Sequence, residues 1–130
     1  MEDKNGDVVQ TVWIPTKIEI VISADFGLEV DPDLAQVRMG GTVVFRAEKV
    51  NARVFFPELV LQPVEGDAAE SASKIGGDYM VFDIKDGETL TFNASSSEEV
   101  KITYFVSHEL ISNVLEAVQI PPVFVIKKVS

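Results

Sequence analysis

The histidine at position 108 is the only histidine in the chain, and its side chain is the one best suited to proton transfer or metal binding near neutral pH. Ser107 and Glu109 flank it. A serine beside a histidine suggests a nucleophile and its base, but consecutive strand positions point to opposite faces of a sheet. The sequence offers no evident third catalytic partner or oxyanion hole. We therefore expect that the protein is not an enzyme.

Metal binding is the second chemistry that this segment suggests. His108 and Glu109 supply two ligands, whereas stable sites use three or four, and the chain has no cysteine to add a thiolate. The absence of cysteine also excludes disulfides and thiolate catalysis. We predict no cofactor. The alternative, a weak site for copper or another ion built from His108 and carboxylates such as Glu109, stays open.

Length and charge limit the remaining functions. The 130 residues correspond to one domain, 1–130, in which the polar residues 1–10 are expected to form a flexible N-terminus. Eleven Lys and Arg stand against 21 Asp and Glu, for a net charge of −10. Nucleic-acid phosphates repel such a chain, and no apolar run approaches the roughly 18 residues of a transmembrane helix. We expect neither nucleic-acid binding nor membrane insertion.

Alternation of apolar and polar residues dominates the sequence and predicts β-strands. In 17–23, the isoleucines at every second position share one face. The same pattern recurs in five further segments: 42–47, 80–84, 89–92, 100–106 and 123–129. The pair Asp86-Gly87 lies between two of them and predicts a tight hairpin turn.

These strands predict an all-β sandwich of seven or eight mostly antiparallel strands. An immunoglobulin-like sandwich is the structural alternative, although the cysteine pair typical of that fold is absent.

One segment, HELISNVLEAV (108–118), departs from the alternating pattern. Its apolar residues follow a helical spacing: Leu110, Ile111, Val114, Leu115 and Val118. Ser107 could cap this helix at its start, and Pro121-Pro122 would prevent its continuation. We predict a short helix before the last strand.

Three segments, in this order, resemble the cupredoxin family. VRMGGTVVFRAEKVNARVFFP (37–57) resembles a Gly-rich turn and a T-V-x-F/W strand, followed by the strand that carries the family's first histidine ligand. FDIKDGETLTFNA (82–94) is similar to the family pattern F-x-I-x-x-G-E-T-x-x-F, and VKITYFVS (100–107) to the strand that leads to the cysteine ligand. The resemblance covers 18–129 and implies a cupredoxin-like, Greek-key β-sandwich.

The same resemblance places the copper ligands where this chain has other residues. The first histidine position falls near Arg53, and the second near His108. The cysteine position falls near Val106 or Ser107. A type 1 copper site needs two imidazoles and a thiolate, so the resemblance implies the fold without its copper site.

The resemblance also bears on localisation. It implies a periplasmic or extracellular protein whose leader has been removed. A native start at Met1 implies a cytoplasmic protein instead, because the first ten residues lack the features of a signal peptide.

Apolar residues at one end of the expected sandwich predict an interaction surface. Phe55 and Phe56 are adjacent, so in a strand one of them must face away from the core. The resemblance places them beside the loop that follows the penultimate strand. The candidates for one exposed patch are Phe55, Phe56, Pro57, Leu110, Ile111, Val114 and Leu115. The alternative, in which the loop 65–77 and the helix 108–118 cover these residues, stays open.

The function predicted from the sequence is therefore a copper-free binding or assembly module. It would use the loop end of the sandwich to engage a protein partner or a second copy of itself.

Overall fold

The structure is a computed structural model that describes residues 13–24, 27–64, 74–75, 79–109, 115–117 and 121–128. In these ranges the chain forms thirteen strand segments and no helix. In chain order they are β1 (Lys17–Ser23), β2 (Glu29–Asp31), β3 (Leu34–Arg38), β4 (Thr42–Glu48), β5 (Ala52–Phe56), β6 (Leu61–Pro63), β7 (Lys74–Ile75), β8 (Met80–Ile84), β9 (Thr89–Ala94), β10 (Val100–Thr103), β11 (Phe105–Glu109), β12 (Leu115–Ala117) and β13 (Val123–Lys127).

The strands form three hydrogen-bonded sheets. The first has the order β2-β1-β4-β9-β6, the second β10-β13-β3, and the third β12-β11-β5-β8-β7. Two pairs, β1 with β4 and β3 with β13, are parallel, and the other pairs in the described residues are antiparallel. The second and third sheets are continuous along the chain, because only Tyr104 separates β10 from β11.

The apolar core lies between the first sheet and the two joined sheets. Phe45 of β4 contacts Phe56 and Phe82 of the third sheet edge to face, with ring centroids 6.1 and 5.2 Å apart. It also contacts Phe92 and Tyr104, at 5.8 and 6.2 Å. All five side chains are fully buried, so an aromatic cluster holds the layers together. The prediction of an all-β sandwich is confirmed.

The predicted turn at Asp86-Gly87 is confirmed, but the hairpin predicted around it is wrong. Gly87 has a φ of +82°, and the Glu88 N–H donates to the Lys85 carbonyl at 2.8 Å. The strand before the turn, β8, belongs to the third sheet, whereas the strand after it, β9, belongs to the first. The turn therefore connects the two layers of the sandwich instead of two neighbouring strands.

The short helix predicted for 108–118 is wrong in the part that the structure describes. His108 and Glu109 are the last residues of β11, and Leu115–Ala117 form β12, which pairs with β11 antiparallel. The other edge of β11 pairs with β5. Because strands on both sides satisfy the backbone of β11, pairing across the sheet outweighs the local helical spacing of the apolar residues.

Some predictions concern residues outside the described ranges. They are the flexible N-terminus at 1–10 and the interaction candidates Leu110, Ile111 and Val114. In the part of the chain that the structure describes, no helix has the length and apolar character needed to span a membrane.

Candidate functional site

Two positions that the resemblance assigned to copper ligands lie side by side at the end of the third sheet. Ser107 of β11 is the cross-strand partner of Arg53 of β5. Arg53 is in turn the partner of Asp83 of β8. Arg53 is exposed whereas its strand neighbours Ala52 and Val54 are buried, so this row lies on the outer face of the sheet.

The next row of the same three strands lies on the inner face. His108 is paired with Ala52, and Ala52 with Ile84. Ala52 and Ile84 are buried, with 4% and 0% of their surfaces exposed, while His108 is partly exposed. The alternation of the strands therefore places the imidazole where the core meets the surface.

The two rows border a cleft of about 440 Å³, which we call the strand-end cleft. It is lined by residues 51–53 before and in β5, 83–85 at the end of β8, and Ser107–His108. Ala52 and Ile84 of the inner row lie beneath it and are almost fully buried. Its polar groups come from the outer row, from His108 of the inner row, and from Asn51 and Lys85, which directly precede β5 and directly follow β8.

The Arg53 guanidinium is held by Asp83 in a two-point contact. Arg53 Nε donates to Asp83 Oδ1 at 2.7 Å, and Arg53 Nη2 donates to Asp83 Oδ2 at 3.1 Å. The side chains remain 62% and 46% exposed. Solvent therefore screens the attraction between the two charges. The main effect of the contact is to fix the plane and direction of the Arg53 guanidinium.

The turn that forms one wall of the cleft is tied to the facing loop. The Lys49 N–H donates to Asp86 Oδ1 at 2.7 Å, and the Asp86 N–H donates to Asn51 Oδ1 at 2.9 Å. The Lys85 N–H donates to Glu88 Oε1 at 3.0 Å. Side chains thus satisfy backbone donors on both loops, so the wall keeps a defined shape.

The described lining of the cleft does not bring together the ligands of a metal site. The described residues contain no group of three or more His, Cys, Asp or Glu side chains that could hold a metal ion. Two cations, Arg53 and Lys85, also line the cleft, and like charges repel.

A second surface feature, the outer aromatic patch, consists of Phe55, Tyr79 and Phe105. Phe105 of β11 is the cross-strand partner of Phe55, and their ring centroids are 6.1 Å apart. The Phe55 and Tyr79 rings are 5.8 Å apart. Phe105 is 48% exposed, and the other two rings are partly exposed. The patch lies on the outer face of the third sheet, one row away from Arg53.

The predicted exposure of Phe56 is wrong. It is 0% exposed and stacks on Tyr104 in the core, with the ring centroids 4.6 Å apart. Because side chains alternate along a strand, Phe56 lies on the inner face of the sheet and Phe55 on the outer face. Pro57, which follows the strand, is partly exposed.

Of the second apolar segment in the predicted patch, only Leu115 lies in the described residues, and it lies far along β11 from Phe55. Phe55 is paired with Phe105, whereas Leu115 is paired with Glu109 at the other end of β11. Four residues of strand span about 13 Å. Phe55 and Leu115 are therefore paired with opposite ends of β11.

Sequence reasoning missed Asp83, Tyr79 and Phe105 as members of these sites. A signal existed for Phe105: the alternation of 100–106 puts it on the same face as Lys101 and Thr103, and an aromatic ring on a polar face is a sign of a surface patch. Asp83 and Tyr79 had no such signal, because their partners are defined by the register between strands.

No family model matches the sequence, and no curated protein matches it. Among solved structures, the chain is similar to the reduced Cu(I) form, at pH 4, of a point mutant of amicyanin. The identity is 12% and the TM-score 0.49, over 84% of this chain and 82% of that one.

The chain is also similar to Fet3p, a multicopper oxidase that functions in iron import. The identity is 8% and the TM-score 0.40. The similarity covers 92% of this chain but 30% of the oxidase chain. Neither similarity assigns a role to a residue of this chain.

Proposed function

We propose that this protein is a copper-free, cupredoxin-like binding module that engages a protein partner or a second copy of itself through the outer aromatic patch. In this role it has no catalytic activity. The observation that carries the proposal is the placement of Phe105, which is 48% exposed on a sheet face and in ring contact with Phe55.

The chemistry of the outer aromatic patch suits an interface. Aromatic side chains bury large apolar areas and are frequent among the residues that dominate binding energy. The neighbouring row on the same face is polar and contains Ser107, Arg53 and Asp83. An apolar centre beside a polar, solvent-exposed border is the usual anatomy of a protein interface.

The backbone under the patch is rigid. Phe55 lies between Val54 and Phe56, which are both 0% exposed, and β5 is paired on both edges. Rings held in this way lose little conformational freedom when a partner docks, which favours affinity.

Site-directed photo-crosslinking tests the proposal. A photoreactive phenylalanine analogue replaces Phe105 in the full-length protein, which is then irradiated in extracts of its source cells. We expect a saturable adduct with one protein, identified by mass spectrometry, because the ring at 105 lies at the centre of the contact. An adduct with a second copy would be followed by sedimentation velocity of the purified protein.

Leu59 provides the matched control for this experiment. It is an apolar residue of similar exposure, 43%, in the connection from β5 to β6, which belong to different sheets. The analogue at 59 should not give the adduct, and a Phe55→Asp substitution should abolish the adduct formed from 105. Equal labelling from both positions, or labelling insensitive to Phe55→Asp, would refute the patch as a docking surface.

A further inference from the structure

The outer faces of the first and second sheets carry charges of opposite sign. The outward charged side chains of the first sheet's described strands are two cations and four carboxylates, a sum of −2: Lys17, Arg46, Glu19, Glu29, Asp31 and Glu48. Those of the second sheet are three cations: Arg38, Lys101 and Lys127. They alternate with residues that face the core, and the core lies between the two sheets. The two charged faces therefore point in opposite directions.

Charges in the adjoining loops reduce this contrast without reversing it. Beside the second sheet, the described loops contain three carboxylates and one cation: Asp33, Glu98, Glu99 and Lys128. Including them, the second-sheet side has four cations and three carboxylates, a sum of +1. Beside the first sheet, Lys49 is offset by Glu58 and Glu88. The first-sheet side therefore stays negative and the second-sheet side positive, in a chain with a net charge of −10.

The outer face of the second sheet presents apolar surface beside its lysines. Leu34 is 51% exposed, and Val123 and Val125 are partly exposed. Leu34 and Val125 line a groove of about 430 Å³ together with Lys101 and Lys127. Neither lysine forms an ion pair with another described residue. An apolar centre with two cations at its border suits a partner surface that is apolar at its centre and acidic at its border.

The outer face of the first sheet has that composition. Val21 and Val44, on neighbouring strands, are partly exposed. Arg46 is shared by two carboxylates, since its Nη2 lies 3.6 Å from Glu19 Oε1 and 3.4 Å from Glu48 Oε2. One guanidinium cannot neutralise both, so an excess of negative charge remains beside the two valines.

From this complementarity, we propose that the second-sheet face of one copy docks on the first-sheet face of another copy. Because the two faces lie on opposite sides of the sandwich, the contact is head-to-tail and extends into a chain of copies. Salt at about 0.15 M screens charges more than about 8 Å apart, so the contacting faces outweigh the repulsion between the whole molecules. A three-stranded face is small, and the association is accordingly weak. It is independent of the outer aromatic patch and its partner.

Sedimentation equilibrium of the purified full-length protein tests the inference, at concentrations from about 0.05 to about 1 mM and at about 0.15 M salt. We expect the weight-average mass to rise with concentration and to show no limit at the dimer. A mass that stays at that of the monomer, or that stops rising at the dimer, would overturn the head-to-tail contact.

Two charge reversals separate the contact from the general charge of the chain. Lys101→Glu and Glu19→Lys should each weaken self-association about tenfold or more, because each places like charges opposite one another. The first makes the chain two charges more negative and the second two charges less negative, so a net-charge effect would change association in opposite directions. An equimolar mixture should associate again, since each variant supplies the face that the other lacks. Stronger association of Glu19→Lys alone, or no recovery in the mixture, would refute the proposal.

Two control variants complete the experiment, and circular dichroism checks that every variant is folded. Lys85→Glu makes the same change of charge as Lys101→Glu, in the turn that follows β8 and outside both faces, and should leave association unchanged. Phe105→Ser alters the outer aromatic patch and should also leave it unchanged. Loss of association in Phe105→Ser, with normal association in the two charge reversals, would assign self-association to the outer aromatic patch and reject the head-to-tail contact.

Discussion

The rings of Phe56 and Tyr104 are stacked in the core, with centroids 4.6 Å apart and planes 7° from parallel. This arrangement holds the Tyr104 side chain at 0% exposure, and its hydroxyl oxygen has no hydrogen-bond partner among the described residues. A buried hydroxyl without a partner loses its bonds to water and gains none in return. The Tyr104 ring thus stabilises the aromatic cluster, whereas its buried hydroxyl, which has no partner among the described residues, is destabilising.

Replacing Tyr104 with Phe should leave the protein as stable as the wild type or more stable. The ring and its stack on Phe56 are kept, and removal of an unsatisfied buried hydroxyl raises the free energy of unfolding by about 1–3 kcal/mol at most. Urea unfolding followed by circular dichroism measures the change. A loss of more than about 1 kcal/mol would show that the hydroxyl has a partner, such as an internal water molecule.

The stability of the protein should decline in alkaline solution because of the same residue. Burial, with a smaller contribution from the Asp33 carboxylate, raises the pKa of the Tyr104 phenol. The folded state therefore keeps the proton at pH values where the unfolded chain releases it. Stability is complete below the pKa of the unfolded tyrosine, about 10, and is lost above it by up to about 1.4 kcal/mol per pH unit.

Tyr104→Phe is the control for this pH dependence. The free energy of unfolding of both proteins is measured from about pH 8 to about pH 11. It should decline more steeply with pH for the wild type than for Tyr104→Phe. Parallel curves for the two proteins would contradict the assignment to Tyr104.

Strand positions could be predicted from the sequence because period-two alternation is a local property. The predicted segments 17–23 and 80–84 coincide with β1 and β8. The pairing between strands could not be predicted in this way. The parallel pair of β1 with β4 and the separation of β8 from β9 depend on contacts between distant segments.

The pairing of β11 with β12 shows why the prediction of a helix at 108–118 was wrong. The apolar residues of 108–118 match a helical spacing, but the edge of β11 needs a partner strand, and Leu115–Ala117 supplies it. The same limit applies to the strand-end cleft. The ion pair of Arg53 and Asp83 exists because β5 and β8 have one particular register, which no local pattern encodes.

Gly41→Ala should destabilise the protein more than Gly40→Ala. A Cβ at position 41 would lie 2.7 Å from the Thr16 carbonyl oxygen and 2.9 Å from the Arg38 carbonyl oxygen, and backbone atoms cannot move aside locally. At Gly40, whose φ is +80°, a Cβ meets nothing within 4 Å. The free-energy cost of Gly40→Ala therefore comes only from placing an alanine in the left-handed conformation, about 1–2 kcal/mol.

Thermal and urea unfolding of the two glycine variants check this order. The free energy of unfolding should fall by at least about 1 kcal/mol more in Gly41→Ala than in Gly40→Ala. Overpacking costs about 1–3 kcal/mol in addition to any backbone effect. Equal losses would indicate that the loop before β4 relaxes to accept the methyl group.

Protein purified without added metal should contain copper at far below one equivalent. A type 1 site needs two imidazoles and a thiolate, whereas this chain has one histidine and no cysteine. Elemental analysis measures the content, and titration with Cu(II) should give no thiolate-to-copper absorption. Stoichiometric copper that survives dialysis against a chelator would contradict the copper-free proposal, and loss of that copper in His108→Ala would show that His108 is one of its ligands.

Phe45 and Phe105 lie in different sheets and differ strongly in exposure. Phe45 contacts four other rings in the core and is 0% exposed, so Phe45→Ala should lower the free energy of unfolding by about 3–5 kcal/mol. Phe105 is 48% exposed, and Phe105→Ser should lower it by no more than about 1 kcal/mol. Urea unfolding at equal protein concentration measures both values. A loss for Phe105→Ser comparable with that for Phe45→Ala would mean that Phe105 is needed for the fold, and that its exposure does not mark a surface kept for a partner.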